Sequence, residues 1–332
     1  FPSQCGFRKG FNAQHCFLVM LENFKEVLDQ GHKFGALFTD LSKAFDCIDH
    51  SLLIVKLHYY GVLPESNKLI LSYLTNRTQR VKINVCFSKK SVIKYGVPQG
   101  SVLGALLFNI YIIDLFLICE GSNIVYYDDD TTPYAYASDI PGVISQLQVT
   151  SSKMFNWFKD NHFKANPGKS HLLLSSKEQL EVFVSGQNIQ TSTSENLLGI
   201  IIDSELKFDE HTISICKKAT RKLNALARIA NFIDLQKRRT IFKAFIESQF
   251  NYCPLIWMFH SRTMNSRINR IHERALRLVY SNYKSSFEEL LEIDQSFSIH
   301  VRNIQNLAIE VYKFFNGLSP DITSSVFKVK NM

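Results

Sequence analysis

Apolar and polar positions change period several times before residue 165 and settle into a helical rhythm beyond residue 209. Residues 33–39 form a short apolar run of strand length that stops at Asp40. Residues 52–60 and 65–74 carry helical spacing. Residues 81–85 and 91–95 read as two strands around a polar connection. A breaker-rich turn, Gly96-Val97-Pro98-Gln99-Gly100, then leads into an apolar helix from Val102. Residues 123–127 predict a strand ending in acid, 134–136 its return, and 140–163 an amphipathic helix. Residues 172–174, 181–184 and 197–202 read as further strands. Strands with carboxylates at their ends, followed by a long helical region, predict an α+β chain.

The 332 residues leave room for two or three domains, and 45% hydrophobic with 20% charged residues describes a globular protein with a substantial core. Net charge alters this picture. The total is +8, yet residues 211–302 alone hold 16 Lys and Arg against 7 Asp and Glu. A basic helical half beside a neutral half suits a polyanionic partner such as nucleic acid, and a solvated helix face accounts for it equally well. Seven scattered cysteines form no CxxC pair and fit unpaired thiols in a reducing, intracellular compartment. The apolar run 102–118 contains Asn109 and Asp114 and is short for a bilayer span, so it reads as a buried helix with no membrane role. The chain starts at Phe1 and reads as a piece of a longer protein.

Two acidic positions stand at predicted strand ends. Asp40 closes the first strand, where a helix N-cap is the plain alternative. Asp128-Asp129-Asp130 closes the strand 123–127; three adjacent carboxylates repel unless a cation is present, and an acidic surface turn is the alternative. Asp40 and Asp129 are 89 positions apart, so only the fold can join them. Joined, they supply the hard oxygen ligands that Mg²⁺ prefers, which serves a polymerase or a two-metal nuclease.

Residues 38–50 (FTDLSKAFDCIDH), 95–108 (YGVPQGSVLGALLF) and 127–134 (YDDDTTPY) resemble three core palm motifs of non-LTR (LINE-like, jockey-type) retrotransposon reverse transcriptases, in order and at suitable spacing. Further similarity lies in 4–10 (QCGFRKG), 157–169 (WFKDNHFKANPGK), 197–209, 248–262 and 267–280, so the resemblance covers nearly the whole chain. It implies a right-hand polymerase fold: partial fingers over 1–35, a palm with an antiparallel sheet and helices over 36–205, and a helical thumb with a C-terminal extension over 206–332. It implies template-directed DNA synthesis from dNTPs on a DNA primer and an RNA template, with two Mg²⁺ ions or Mn²⁺ in their place, and a nuclear setting.

By the same resemblance, Asp40, Asp129 and Asp130 are metal ligands, and the Leu41 carbonyl also faces a metal. Phe45 stands where the family places an aromatic gate against a 2′-hydroxyl. Gln99 contacts the incoming nucleotide and template, Gly100 allows close backbone approach, and Lys169 helps protonate pyrophosphate. Asp46 stabilises local structure. Arg267, Arg270, Arg274 and Arg277 share one helix face and track phosphates, with a solvated face as the alternative. Phe45 argues against a viral-type RNA polymerase, which keeps a polar residue there. Three departures stand out. Asp128 replaces a small or apolar residue and is expected to impair activity, the Tyr127 register of Tyr-x-Asp-Asp being preferred over that of Tyr126. Ala105 replaces a proline, and the basic fingers segments expected upstream of Gln4 are missing. A truncated or catalytically inactive remnant that only binds nucleic acid is the second expectation.

Overall fold

Strand β1 (Lys33–Phe38) is buried at every position after Lys33, the profile of a strand covered on both faces. The computed structural model that contains it describes residues 4–128, 130–165, 170–176, 180–184 and 186–327. These divide into two compact units: residues 1–11 with 26–193, and residues 12–25 with 194–332. Helix α1 (Ala13–Asp29) runs through the boundary and buries Cys16, Phe17, Met20, Leu21 and Phe24 at helical spacing. Sequence reading assigns no element there.

In the first unit, β1 is followed by a 3₁₀ turn at Ala44–Asp46 and by helices α2 (His50–Tyr59) and α3 (Pro64–Leu74). Asp49 caps α2, its carboxylate accepting from Leu52 N. Four two-residue strands follow: β2 (Thr78–Gln79), β3 (Lys82–Ile83), β4 (Cys86–Phe87) and β5 (Ser91–Val92). They fold as one hairpin, β2 on β5 and β3 on β4. The chain turns at Asn84, φ 53°, inside the run read as a single strand, because Asn tolerates the left-handed backbone that a two-residue hairpin turn demands.

Helices α4 (Val102–Ile112) and α5 (Leu115–Ile118) divide the apolar run. Its two polar residues are paired: Asn109 Nδ2 donates to Gly6 O at 3.1 Å, and Asp114 accepts from Lys56 Nζ at 2.9 Å. Lys56 itself is buried and also donates to Tyr111 O. No helix among the described residues is long and apolar enough to cross a membrane.

Strands β6 (Asn123–Tyr127) and β7 (Asp130–Ala137) form a tight hairpin, followed by α6 (Ile140–Asp160), β8 (His171–Leu174), β9 (Glu181–Val184) and β10 (Gln187–Ser192). The six-stranded sheet has the order β6-β7-β1-β8-β10-β9, with only β8 and β10 parallel. Val143 and Leu147 of α6 pack with Leu37, Ala135 and Leu172 on one face. Phe108, Tyr111, Trp157 and Phe158 anchor a second cluster with α2 and α4.

After its α1 segment, the second unit continues with β11 (Ser194–Leu197) and β12 (Ile200–Asp203), an antiparallel pair where the sequence suggests one strand. Leu198 and Gly199 at positive φ make the turn. Helices α7 (Asp209–Ile229), α8 (Leu235–Ile241), α9 (Pro254–Trp257), α10 (Arg262–Tyr280), α11 (Phe287–Asp294) and α12 (Ile299–Phe315) follow. The buried Asp294 carboxylate accepts from Arg239 Nε at 2.8 Å and Tyr280 OH at 2.6 Å, which satisfies a charge that would otherwise be costly. The α+β class is as expected.

Candidate active site

Everything that joins the two acidic motifs follows from β1 lying beside β7. The two strands pair antiparallel with Ala36 opposite Tyr134, and beyond the strand end Thr39 bridges Thr131. The Thr39 hydroxyl donates to Thr131 O at 2.7 Å in a buried setting and locks the pair. One further step in that register sets Asp40 opposite Asp130. Both residues are half-buried at the end of a buried sheet, where charge is less screened than on an open surface. Two carboxylates so placed favour a bound cation.

The β6–β7 turn decides the register of the acidic cluster. Tyr127 pairs with Asp130, leaving positions 128 and 129 as the connection. Asp128 takes φ 56°, a conformation Asp accepts more readily than most residues. Its carboxylate turns toward the segment before α1: a Cβ added at Gly6 would lie 2.6 Å from Asp128 Oδ1. By register Asp130, the first residue of β7, therefore stands opposite Asp40, while the Asp128 carboxylate lies beside Gly6. Asp129 and Lys169 lie outside the described residues. Among the described residues, no group of three or more acidic, histidine or cysteine side chains comes together to hold a metal.

Leu41 is buried and bridges Ala165, while Ser42 N donates to Lys164 O at 2.9 Å, so the chain leaves Asp40 on a fixed path. Lys43, with φ 52°, starts the 3₁₀ turn that carries Phe45. The Phe45 ring stacks on the buried Phe108 with centroids 4.3 Å apart.

Gln99 reaches the same turn from another direction. Gly96 N donates to Ile48 O at 2.7 Å, Val97 N donates to Phe45 O at 2.9 Å, and His50 Nε2 lies 2.7 Å from Gly96 O. These bonds seat the loop 95–99 on the 45–50 turn. Gln99 Nε2 then donates to Asp46 Oδ1 at 3.0 Å. A carboxylate only accepts, so this bond fixes the amide's orientation and leaves its oxygen pointing away from Asp46. Asp46 thus does a specific task that sequence reading leaves as local stabilisation. Gly100 has a φ of 78°, which favours glycine, and a Cβ there would meet no protein atom within 4 Å, so the space beside it is open.

Sequence reading takes 81–85 and 91–95 as strands and gives the hairpin 77–94 no role. It holds six Lys and Arg and no acid, a signal visible in local charge counting. Its base and the Gln99 loop line a cleft of about 790 Å³ with Lys43, Arg77, Gln79, Lys94 and Tyr95 on its walls. Arg80 lies 4.0 Å over the Phe87 ring. In the second unit, Arg267, Arg270 and Arg274 are exposed on α10, while Arg277 is tied to Glu273 at 2.7 Å and Arg274 to Asn224 at 2.9 Å.

Residues 1–202 match the family described as reverse transcriptase (RNA-dependent DNA polymerase). The probable RNA-directed DNA polymerase from transposon BS of Drosophila melanogaster is 26% identical over 299 residues, covering 83% of this chain and 32% of the relative. The RNA-directed DNA polymerase from mobile element jockey of Drosophila funebris is 26% identical over 290 residues, covering 82% and 32%. The chain therefore spans about a third of the length of the curated relatives it matches. Among solved structures, telomerase from Candida tropicalis in complex with a TWJ fragment of telomeric RNA aligns at TM-score 0.49 and 11% identity, covering 97% of this chain and 49% of that one.

Proposed function

The chain belongs to the reverse transcriptase family and is similar to its non-LTR retrotransposon members, and from that premise we propose that it carries out RNA-directed DNA synthesis, adding dNTPs to a primer 3′-hydroxyl. The observation that carries the reading is the β1–β7 register, which sets Asp40 opposite Asp130. A nuclease could use the same acids, but family membership favours the polymerase.

Reverse transcriptases work with divalent metal ions, and hard carboxylate oxygens at the ends of two adjacent strands suit Mg²⁺. Asp40, Asp129 and Asp130 would hold two ions, with the Leu41 carbonyl nearby. When bound, the ions make the primer hydroxyl more acidic and offset charge on the leaving pyrophosphate. The protein's own groups bind and orient. Phe45, backed by Phe108, excludes a 2′-hydroxyl by volume. Gln99 presents its amide oxygen to the nucleotide, and Lys169 delivers a proton to pyrophosphate. We assign 1–35 to partial fingers, 36–205 to the palm and 206–332 to the thumb. The basic hairpin 77–94 and the α10 arginines would hold template and primer phosphates.

Primer extension on an RNA template with dNTPs and Mg²⁺ tests the reading; failure to extend while nucleic acid still binds would favour an inactive remnant. Two variants refine it. Asp46→Ala frees the Gln99 amide and is expected to raise the dNTP KM roughly fivefold, the worth of about 1 kcal/mol for an exposed bond to a charged acceptor. The same change in a Gln99→Ala background should add nothing, and an undiminished effect there would disprove the coupling. Asp128→Asn removes a charge beside the acidic pair and keeps a residue at home in left-handed backbone. It is expected to extend primers about fivefold faster, from about 1 kcal/mol of relieved repulsion. A variant no faster than the parent would show Asp128 to be harmless.

A further inference from the structure

The segment before α1 is stitched to the acidic hairpin. Gln4 bridges Tyr126 in parallel, and Cys5 N donates to Tyr126 O at 3.0 Å. Asn109 holds Gly6 O from the other side. Gly6 approaches the turn so closely that a Cβ would sit 2.5 Å from Asp128 N, so no larger residue fits without a shift. Position 7 is thereby delivered to a fixed place.

Phe7 sits there against two general rules. Its φ is 54°, an uncommon conformation for any non-glycine residue and a marked outlier for a bulky one. The residue is also 50% exposed, so burial does not explain the strain. Strain of this kind persists where the surroundings impose it, often at functional sites. The imposed contact is with Phe45: the two rings meet edge to face, centroids 6.0 Å apart at 89°. Phe108, Phe45 and Phe7 thus form a row, buried at one end and open at the other.

We propose that Phe7 is a second specificity-determining residue, which holds the Phe45 ring upright and walls the sugar side of the nucleotide site against ribose. The inference rests on the polymerase reading. Phe45 is backed by Phe108 on its face, and among the described residues Phe7 is the other ring that meets it. Without Phe7, the gate ring can tilt into the vacated space and admit a 2′-hydroxyl.

The test is steady-state primer extension with matched dNTP and rNTP on one primed RNA template, for the parent, Phe7→Gly and Phe7→Tyr. Glycine removes the ring and relieves the backbone, so folding is preserved, and a melt for each variant checks it. Phe7→Gly is expected to lower the dNTP-over-rNTP ratio of kcat/KM by about threefold to tenfold, chiefly through a lower rNTP KM, as the loss of one edge-to-face pair implies. Phe7→Tyr, which keeps the ring, should retain the parental ratio. In a Phe45→Ala background, Phe7→Gly should change the ratio no further. A parent that extends with dNTPs while Phe7→Gly keeps the parental ratio, or loses dNTP and rNTP use alike, overturns the proposal and leaves the polymerase reading standing. A parent that neither extends a primer nor binds dNTP on a dideoxy-ended primer overturns both.

Discussion

Asp40→Ala is expected to lower dNTP incorporation on primed RNA by about a thousandfold or more, with primer–template binding and melting temperature close to the parent's. The size follows from what the residue supplies. Groups that stabilise charge developing in a transition state are worth about 3–4 kcal/mol each, and each 1.36 kcal/mol is a factor of ten. Asp40 would be one of the ligands holding the metal that stabilises such charge, so its loss belongs at or above that range. Stability should move little, because Asp40 lies past the end of β1, while the lock between the strands is the neighbouring Thr39 bond to Thr131. Extension by the parent that persists in Asp40→Ala would remove the acid pair from the mechanism. If neither chain extends while both bind nucleic acid, the inactive-remnant reading gains, and Asp128→Asn becomes the informative variant.

Acid should destabilise the second unit as the pH falls below about 6.5. Burial holds His272 down to about 4, reinforced by Arg302 and opposed by Asp294. Its ring stacks on Phe242 and meets Phe287 edge-on, and neither ring nitrogen finds a hydrogen-bond partner among the described residues. Burial also holds His211 down to about 4, with Lys218 adding to the effect. His211 Nδ1 accepts from Ile201 N at 3.3 Å, which requires the neutral ring. A histidine with a depressed folded pKa costs nothing above the unfolded value of about 6.5. It weakens the fold as pH drops from there toward 4, since the unfolded chain takes up the proton first. At pH 5 each ring should cost about 2 kcal/mol, from 1.36 kcal/mol per unit. Denaturant unfolding at pH 7.5 and 5.0 measures the loss, and His272→Leu should remove about half of it. An unchanged pH dependence in that variant would refute the account. Asp294, whose hydrogen bonds from Tyr280 and Arg239 outweigh burial and keep its carboxyl below the usual range, adds its own loss only at still lower pH.

Much of the local structure is legible in the chain itself. β1 can be read because an unbroken apolar run of strand length ends abruptly at Asp40, and α6 because its apolar positions recur at helical spacing. The two runs misread as single strands both hide a turn at a residue with positive φ, Asn84 in one and Leu198 in the other. Leucine carries no turn signal, but Gly199 beside it, also at positive φ, does, so the β11–β12 turn was marked in the chain by that glycine alone. From the residue pattern alone the candidate site was legible only as separate acids, and the family resemblance is what joined them. That the register sets Asp40 opposite Asp130 rather than Asp128 depends on β1 lying beside β7, a pairing across some 90 residues that no local pattern encodes. The Gln99–Asp46 bond and the Phe7–Phe45 contact are likewise products of loop docking, invisible until the loops have their seats.

The central place of β1 also sets the order in which a chain leaving the ribosome can become competent. One edge of β1 waits for β7, which ends at Ala137, and the other waits for β8, which ends at Leu174. Until both have emerged, a strand apolar on both faces stands with open backbone edges, the kind of surface that recruits foreign strands. The acid pair is therefore a late product of synthesis. An interrupted chain that stops short of β7 carries Asp40 without its counterpart, and what it offers the cell is an aggregation hazard.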